Sequence, residues 1–507
     1  MTRRALRGTA PVERMGANPM HEWSDRRRSA ASLEDAAPAR QTDAGVLIRG
    51  KYVLTSSEPE VITDGAVCVV GETIRDVGPY AELAKTFPEY AVLGGPNDIV
   101  TPGFINAHGH FSEAFVTGIA EHCALGDWLR VLIGAVAPHL DRECAYIGTL
   151  LGGVQMLRTG ITLTNDMFVS DSRTTPVTPG VVQGLDELGL RGIVSYGAND
   201  RRPGIKADDV FAEHAALREA AAGSTLCRFR VGIATVAAQS PSMFARSVDF
   251  ASSNAEGVHI HLHESREEIE FIQDSRHATP IEYCAQNGLF SVPTLAAHCV
   301  WLRDDDIGAL ASHGVGVAYN PVSNMILASG ACPVSRLRGR GIDVGLGVDG
   351  PASNDRQDML EAIKTGVLLQ RLDQLDPLAL TAREAFRMAT IEGAAALRMA
   401  ATVGSLEPGK AADLVVFDGG SPALANIHDP FQAIVYCAGP REVKDVWVAG
   451  QRRVANGELL SVDVPALVRE SRKLARDLVR RAGLGELSLL AASDGDRHGA
   501  NLSPQPA

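Results

Sequence analysis

The sequence has few aromatic residues, no closely paired cysteines and no long apolar run. Aromatic side chains make up 5% of the 507 residues and apolar side chains 45%, which is ordinary for a globular protein. The eight cysteines include no CxxC pair, which excludes a cysteine-rich zinc site and indicates reduced thiols in a cytoplasmic protein. No apolar run approaches the ~18 residues of a membrane span, so we expect no membrane-spanning helix.

Acidic residues outnumber basic ones, 61 to 48. The net charge of −13 disfavours nucleic acid or an anionic membrane surface as the main partner. Residues 1–42 lack the apolar core of a secretory signal, and we predict a disordered arm there and a disordered polar tail over residues 485–507. Lysine is rarer than arginine throughout, a bias typical of a GC-rich bacterial genome.

Two kinds of strand pattern divide the rest of the chain. Residues 43–100 and 399–462 alternate short β-rich runs with turns, which predicts a small β-sandwich domain built from both segments. Residues 101–398 repeat apolar strands separated by helical stretches, the rhythm of a (β/α)8 TIM-type barrel in an α/β protein. An open doubly wound sheet is the alternative, but no GxGxxG opens a helix, which disfavours an NAD-dependent dehydrogenase. A closing amphipathic helix is predicted over residues 463–484.

Histidines are concentrated on one predicted strand. The stretch "HIHLHES" (259–265) places three histidines at alternate positions, so all three imidazoles share one face of the strand, and a glutamate follows them. Burial of such a face is costly unless the nitrogens are used. The stretch alone fits either a metal site or a solvated strand face.

Other polar residues lie at the predicted C-terminal ends of the barrel strands, where the active sites of this fold lie. His108 and His110 in "NAHGHF" are two residues apart and can therefore hold one ion together. An imidazole from a facing strand and a carboxylate would complete a set of three nitrogens and one oxygen, which suits zinc or ferrous iron. The further candidates at strand ends are His261, His298, Asn320 and Asp349.

Several stretches together resemble the amidohydrolase superfamily. They are "VTPGFINAHGHF", "GDWL", "MLRTGITLTNDM", "HIHLHES", "AAHCVWL", "NPVSNMIL", "GLGVDGPASND" and "GSLEPGKAADLVVFD". The likeness spans residues 45–460 and falls in the branch that includes cytosine, guanine and S-adenosylhomocysteine deaminases and s-triazine hydrolases. It implies a small heterocyclic substrate, water as the second reactant, and a homo-oligomer, either a dimer or a tetramer.

The resemblance also implies roles for individual residues. The His-x-x-Glu pattern of the family fits His261 and Glu264, which leaves His259 and His263 without an assigned role, although strand parity points His259 into the barrel. The implied metal ligands are His108, His110, His261 and Asp349. The implied catalytic residues are Glu264, His298 and Asp349. The expected substrate contacts are Trp128, Asn320, Ser323, Asn324 and His263.

One divalent metal is expected rather than two. Family members with two metals need a lysine near the end of the fourth strand, and this sequence has no lysine between Lys206 and Lys364. Zn²⁺ is the expected ion, with Fe²⁺ as the alternative. Such an ion lowers the pKa of a bound water towards neutrality and thereby supplies hydroxide.

The resemblance implies hydrolytic deamination of a purine, pyrimidine, pterin or triazine type of ring. Hydroxide would attack the carbon that carries the exocyclic amine, Glu264 would protonate the adjacent ring nitrogen, and Asp349 would take the water's proton while His298 helps to orient the water. Ammonia would leave and a ring carbonyl would remain. Two alternatives stay open: hydrolysis of a cyclic amide or imide, as in imidazolonepropionase relatives, and removal of chloride or alkylamine from an s-triazine. An inactive barrel is disfavoured because no member of the constellation is missing.

Substrate choice is expected to lie in four loops, at residues 111–128, 168–175, 237–243 and 320–325. The first of these loops carries Glu113 and Glu121. Either carboxylate could contact a basic ring, but we interpret both as solvated loop charges.

Overall fold

The computed structural model describes residues 45–171, 176–488 and 490. The predicted disordered arm and most of the predicted tail lie outside the described residues, as do residues 172–175 of one predicted substrate loop. The described start of the tail, Gly485–Leu487, forms a 3₁₀ turn. Within the described residues, no helix is both long and apolar enough to cross a membrane.

Seventeen strands are described, which we number in chain order. They are β1 (Val46–Leu54), β2 (Val61–Val70), β3 (Thr73–Pro79), β4 (Ala91–Gly94), β5 (Ile99–Pro102), β6 (Phe104–Gly109), β7 (Ile161–Phe168), β8 (Arg191–Tyr196), β9 (Cys227–Ile233), β10 (Val258–Leu262), β11 (Thr294–His298), β12 (Gly316–Tyr319), β13 (Val344–Leu346), β14 (Leu414–Phe417), β15 (Val443–Val448), β16 (Gln451–Ala455) and β17 (Glu458–Leu459).

The described α-helices are numbered in the same way. They are α1 (Tyr80–Thr86), α2 (Leu125–Trp128), α3 (Gly134–Val136), α4 (Arg142–Arg158), α5 (Pro179–Leu188), α6 (Ala207–Ala222), α7 (Pro241–Ser253), α8 (Arg266–Arg276), α9 (Pro280–Gln286), α10 (Asp304–Ser312), α11 (Pro321–Ile326), α12 (Val334–Gly339), α13 (Met359–Gln374), α14 (Ala382–Met388), α15 (Ile391–Ala396), α16 (Pro430–Gln432) and α17 (Val464–Arg481).

The two terminal segments join in one mostly antiparallel sheet, which confirms the predicted flanking domain. Its strand order is β17-β16-β15-β14-β5-β1-β2-β3, and β4 pairs with β1. The joint is the antiparallel pair β5–β14, where Leu414 lies opposite Pro102 and Phe417 opposite Ile99. Because strand residues alternate between faces, β1 buries Ile48 in one apolar cluster and Leu47 in another.

The remaining strands form the predicted barrel of eight parallel strands. They follow one another from β6 to β13 in chain order, each paired with the next. The last strand returns to the first through a parallel bridge between Gly109 and Asp349, where the backbone N–H of Asp349 donates to the carbonyl of His108 at 3.0 Å. Closure of the sheet leaves no exposed barrel edge and brings the two ends of the barrel sequence together.

The stretch "IVTPGFINAH" (99–108) is divided between the two sheets. Its first part is β5 of the terminal sheet, and its second part is β6 of the barrel. Gly103 lies between them, and a Cβ atom at this position would collide with the side chain of Thr162. A glycine therefore permits the chain to pass from one sheet to the other against a neighbouring strand.

Residues around α15 close the N-terminal end of the barrel. The backbone N–H of Ile105, near the start of β6, donates to the carbonyl of Ala389 at 2.8 Å. Ala394 and Leu397 pack in one apolar cluster with Leu295 and other barrel residues. Because apolar residues fill this end, a ligand site is expected at the opposite, C-terminal end of the strands. All eight cysteines are free thiols, as the absence of closely spaced pairs predicts.

Candidate active site

His108 and His110 lie at the C-terminal end of β6, with exposed fractions of 0% and 6%. Their spacing of two residues keeps both rings on one side of the strand, and the ring centroids are 4.6 Å apart. The Nδ1 atom of His108 lies 2.8 Å from Nε2 of His259. The Nε2 atom of His108 is buried and makes no hydrogen bond within the described part of the chain.

His261, on β10, faces His110 across the barrel. Their rings are nearly parallel, at 10°, and their Nε2 atoms are 3.1 Å apart. Each Nδ1 atom lies 2.6 Å from a backbone carbonyl, that of Met167 for His110 and that of Ala234 for His261. Because a carbonyl oxygen only accepts, both Nδ1 atoms carry the proton and both Nε2 atoms of the neutral rings present lone pairs. Two lone pairs that face each other repel unless a cation binds both.

Asp349 completes this group from the end of the last barrel strand. Its Oδ1 atom lies 3.3 Å from Nε2 of His108 and 3.3 Å from Nε2 of His110. Its φ of +56° is uncommon for a residue other than glycine, and the bridge to Gly109 holds it there. The four predicted ligands therefore converge, although they come from both ends and the middle of the barrel sequence.

The donor set fits a divalent metal. Ligand atoms of His108, His110 and His261 all lie within 4.8 Å of one another, and so do those of a second set, His108, His298 and Asp349. Three imidazole nitrogens and one carboxylate oxygen are donors that suit Zn²⁺, and a water molecule would be the fifth ligand of such an ion. Such an ion would account for the unpaired Nε2 of His108. It would also account for the lone pairs of His110 and His261 that face each other.

The protonation states of the ligands also suit a cation. Burial lowers the pKa of His108 to about 3, and burial together with repulsion from His108 lowers the pKa of His261 well below its usual value. Burial alone would raise the pKa of Asp349, but the nearby imidazoles of His108, His298 and His110 hold it well below its usual value. The site thus presents neutral imidazoles and an ionised carboxylate, the forms that bind metal.

Glu264 and His298 lie beside the ligands. The Oε2 atom of Glu264 is 3.5 Å from Nε2 of His298, which in turn is 3.9 Å from Oδ2 of Asp349. Burial and the negative charge of Asp349 raise the pKa of Glu264, while His298 opposes the shift. The hydroxyl of Ser329 donates to Oε1 of Glu264 at 3.4 Å. A buried carboxyl group that retains its proton more readily than usual is a candidate general acid.

Two predicted substrate contacts instead hold His298. The Nδ1 atom of His298 lies 2.9 Å from Oδ1 of Asn324 and 3.3 Å from Nδ2 of Asn320. The shorter contact assigns the Nδ1 proton to a hydrogen bond with Asn324, which leaves Nε2 directed at Glu264 and Asp349. Neither asparagine lines the cavity described below, and neither does Ser323, which is 1% exposed.

His263 is turned away from the site. Its φ of +53° ends the alternation of β10, so its ring does not follow His259 and His261. Its Nδ1 atom lies 2.9 Å from the carbonyl of Trp301, and the backbone N–H of Ile281 donates to its Nε2 at 3.4 Å. Both nitrogens are therefore engaged with backbone, and His263 does not line the cavity. Of the five expected substrate contacts, the structure brings one to the cavity, Trp128 at the end of α2.

A cavity of about 800 Å³ opens above the candidate metal ligands. Its floor includes His110, His261 and Asp349, with Glu264 and His298 beside them. Its apolar wall is formed by Leu125, Trp128, Leu129, Ile133, Pro138 and Phe271. An ion pair of Arg202 and Asp171, at 2.7 Å, lies on the polar side.

Glu113 is not the solvated loop charge that the sequence predicts. Only 4% of it is exposed and it lines the cavity, because the 3₁₀ turn Phe111–Glu113 follows β6 directly and directs it inward. Its carboxylate accepts from the backbone N–H of Ala352 at 3.1 Å and from the hydroxyl of Ser353 at 3.4 Å. Burial and the charge of Asp349 raise its pKa well above the usual value. The sequence feature that indicated a place near the site was its position, only three residues after the candidate ligand His110. Glu121 is exposed, as predicted.

Glu268 is a second cavity residue that the sequence reasoning missed. It lies on α8, four residues after Glu264, and the backbone N–H of Glu264 donates to its Oε2 at 3.4 Å. Burial and repulsion from Glu264 raise the pKa of Glu268 to about 8. In the sequence, Glu264 and Glu268 are four residues apart at the start of a predicted helix, and this spacing indicates that they lie close together.

Comparison with known proteins finds matches over most of the chain. The model of the amidohydrolase family matches residues 99–453, and that of a bacterial imidazolonepropionase-like composite domain matches residues 65–89. A 5-methylthioadenosine/S-adenosylhomocysteine deaminase of Pelotomaculum thermopropionicum is 36% identical over 441 residues, 86% of this chain and 100% of the relative. A 5'-deoxyadenosine deaminase of Methanopyrus kandleri is 34% identical over 83% of this chain and 96% of the relative.

Solved structures show the same fold. An adenosine deaminase from Xanthomonas campestris with bound zinc superposes with a TM-score of 0.80 at 29% identity, covering 86% of this chain and 99% of that chain. An atrazine chlorohydrolase from Arthrobacter aurescens, complexed with zinc, reaches a TM-score of 0.78 at 22% identity and covers 85% and 100%. With the family match extending over most of the sequence, from residue 99 to residue 453, this chain belongs to the amidohydrolase family.

Proposed function

We propose that this protein is a metal-dependent hydrolytic deaminase that replaces an exocyclic amine on an N-heteroaromatic ring with a carbonyl and releases ammonia. The observation that carries the proposal is the convergence of three imidazole nitrogens and the Asp349 carboxylate beside a buried glutamate, Glu264. The deaminase names of relatives that align with more than four fifths of the chain support the same reaction class.

The residues that would hold the metal are His108, His110, His261 and Asp349. We favour one Zn²⁺, because the set is three nitrogens and one oxygen, and keep Fe²⁺ as the second candidate. When bound, such an ion lowers the pKa of water and stabilises the negative charge that develops on oxygen. The lack of a lysine between Lys206 and Lys364 supports a single ion.

Glu264 supplies the proton that the ring needs. As water adds to the carbon that bears the amine, the adjacent ring nitrogen gains electron density, and a proton from the Glu264 carboxyl neutralises it. The raised pKa of Glu264 favours this role, because the carboxyl is protonated in a larger fraction of molecules near neutral pH. Transfer of that proton leaves an anionic Glu264 next to His298, where the ring can stabilise it.

Asp349 accepts the proton of the attacking water, and His298 helps to orient that water. The Oδ2 atom of Asp349 lies on the side of Nε2 of His298, so a proton accepted by the carboxylate stays within reach of the amine that must leave. Protonation of the amine breaks the C–N bond and releases ammonia. The proton that remains on the added hydroxyl passes to the Glu264 carboxylate, which restores this acid, and the ring retains the oxygen as a carbonyl. Asn324 fixes the His298 ring for this exchange.

The substrate is a ring that carries a further substituent. A volume of about 800 Å³ lies near the upper end of the ~300–1,000 Å³ range of ligand pockets, and its walls are largely apolar. Adenosines modified at the 5' position, the substrates in the names of the curated relatives, are therefore the first compounds to test. The imidazolonepropionase-like match lies in the terminal sheet rather than at the cavity, so it does not favour the cyclic amide alternative.

The direct test is an ammonia-release assay of Zn²⁺-loaded protein with aminated purines and their nucleosides, pyrimidines, pterins and triazines. We expect release of ammonia with one class, appearance of the ring carbonyl in equal amount, and release that is ~10²–10⁴-fold slower with the Glu264→Gln variant. Inactivity across the panel, combined with hydrolysis of cyclic imides or lactams or loss of chloride from a triazine, would contradict deamination and support an alternative.

A further inference from the structure

Four leucines at the end of α13 form an exposed apolar surface, which we call the leucine patch. Their exposed fractions are 49% for Leu368, 72% for Leu372, 86% for Leu375 and 74% for Leu378. The first three are spaced by four and three residues, so they share one face of the helix, and Leu378 follows in the adjoining turn. None of them lines the active-site cavity.

The patch is unusual for this protein. The other exposed large apolar residues within the described residues are scattered along the chain, and two of them, Leu129 and Phe271, line the active-site cavity. A contiguous exposed apolar patch on an otherwise polar surface commonly marks a site of protein association. Here four of the exposed apolar side chains fall within eleven residues.

The backbone holds the patch in one conformation. Leu375 ends α13 with a φ of +52°, a position that glycine usually occupies, and its N–H donates to the carbonyl of Arg371. The N–H of Asp376 donates to the same carbonyl at 3.2 Å, and the side chain of Asp376 accepts from the N–H of Leu378 at 2.8 Å. The side chain of Leu375 contributes little to the packing of the isolated chain, because 86% of the residue is exposed.

The charges around the patch indicate that its partner is a second copy of the same chain. Lys364 is exposed on the N-terminal side of the patch, whereas Asp373 and Asp376 are exposed on its C-terminal side. An antiparallel pairing of two α13 helices about a two-fold axis brings Leu368 of one copy towards Leu372 of the other. The same pairing brings lysine towards the aspartates of the other copy, whereas a parallel pairing would place like charges together.

The amount of apolar surface is also appropriate for a dimer. The exposed parts of the four side chains together equal roughly three whole leucines per copy, enough for the apolar centre of an interface of standard size, about 800 Å² per partner. Charged residues around this centre would form the polar rim that such interfaces have. We propose that the leucine patch is the two-fold interface of a homodimer. This inference goes beyond the proposed function and does not depend on it.

The test is the molar mass of the full chain in solution, measured by light scattering and sedimentation over a range of concentrations. We expect the wild-type protein to be a dimer, and Leu372→Asp combined with Leu375→Asp to be a monomer. Leu460→Asp is the matched control, because Leu460 is 47% exposed but lies outside the patch, and it should remain a dimer.

A second variant separates loss of the interface from loss of the fold. Leu375→Gly suits a φ of +52°, so it should not lower the thermal stability of the monomer, yet it removes an exposed apolar side chain. We expect its dimer dissociation constant to rise by about tenfold or more. A wild-type protein that is monomeric at every concentration, or a dimer that both patch variants leave unchanged, would overturn the proposal.

Discussion

The Nε2 atom of His259 lies 2.8 Å from the Nδ1 atom of His108, below the candidate metal site. The other nitrogen of His259 is 3.1 Å from the hydroxyl of Ser195, which donates to the carbonyl of Asp166 at 2.9 Å. Because that hydroxyl already donates, it accepts from Nδ1–H of His259, and Nε2 of His259 then accepts from Nδ1–H of His108. This chain leaves Nε2 of His108 without a proton and directed at the site.

A buried hydrogen bond of this kind fixes the tautomer and orientation of a metal-binding imidazole. We therefore predict that His259→Phe, which keeps the ring volume but removes the acceptor, lowers the metal affinity by about 10–100-fold. Competition with a chelator measures the affinity. His214→Phe, a buried histidine elsewhere, is the control and should bind metal normally; equal affinities of the two variants would show that His259 only fills space.

Glu264→Gln should remove most of the activity without removing the metal. The amide cannot give up a proton to the ring nitrogen, and positioned acid–base help of this type is worth ~10²–10⁴-fold in rate. Steady-state rates and elemental analysis of the same preparation measure both properties. A variant with full metal content and an unchanged rate would assign the acid to another residue, with Glu113 and Glu268 as the nearest alternatives in the cavity.

His261 on β10 and His263, which follows the strand, should differ in their effect on metal content. His261→Ala removes a nitrogen that faces His110 at 3.1 Å, so we expect the bound metal to fall to background. His263→Ala removes contacts to the backbone of Trp301 and Ile281, so we expect normal metal content and a lower melting temperature. Elemental analysis measures the metal content of the two variants, and thermal unfolding measures their melting temperatures. Loss of metal from both variants to the same extent would contradict the assigned ligand set.

His214, on α6, should make folding sensitive to acid. Neither of its ring nitrogens has a partner within the described residues, and burial lowers its pKa to about 3. It packs among the rings of Tyr196, Phe211, Phe229 and Phe250. Below pH ~6.5 the unfolded chain binds a proton that the folded chain does not, so stability falls as the pH decreases towards 3, by at most about 1.4 kcal/mol per pH unit.

His214→Phe removes this linkage. The melting temperature of the variant relative to the wild type should therefore rise between pH 7.5 and pH 5, by about 1–4 °C. The exposed His428 serves as the control, since His428→Phe should show no such trend. A difference in melting temperature that stays constant with pH would show that His214 takes up a proton as readily in the folded protein as in the unfolded chain, which would contradict the prediction.

The histidine cluster was predictable from local sequence. His108 and His110 are two residues apart on a strand, and the alternation of "HIHLHES" places His259 and His261 on one face, so simple geometry selects the side chains that enter the barrel. The repeating apolar strands predicted parallel pairing, and parallel strands end at the same rim. Those two rules, together with the family resemblance, were sufficient to name the four residues that the structure brings together.

The contacts of the remaining residues depended on tertiary structure. A positive φ at His263 ends the strand pattern, a 3₁₀ turn carries Glu113 into the cavity, and Asn324 reaches His298 from a helix rather than from the cavity wall. Sequence periodicity reports which face of a strand a side chain occupies, because that choice is made within a few residues of backbone. Whether the side chain then meets a ligand, a carbonyl or another ring depends on segments far away in the chain, and only packing brings those segments into contact.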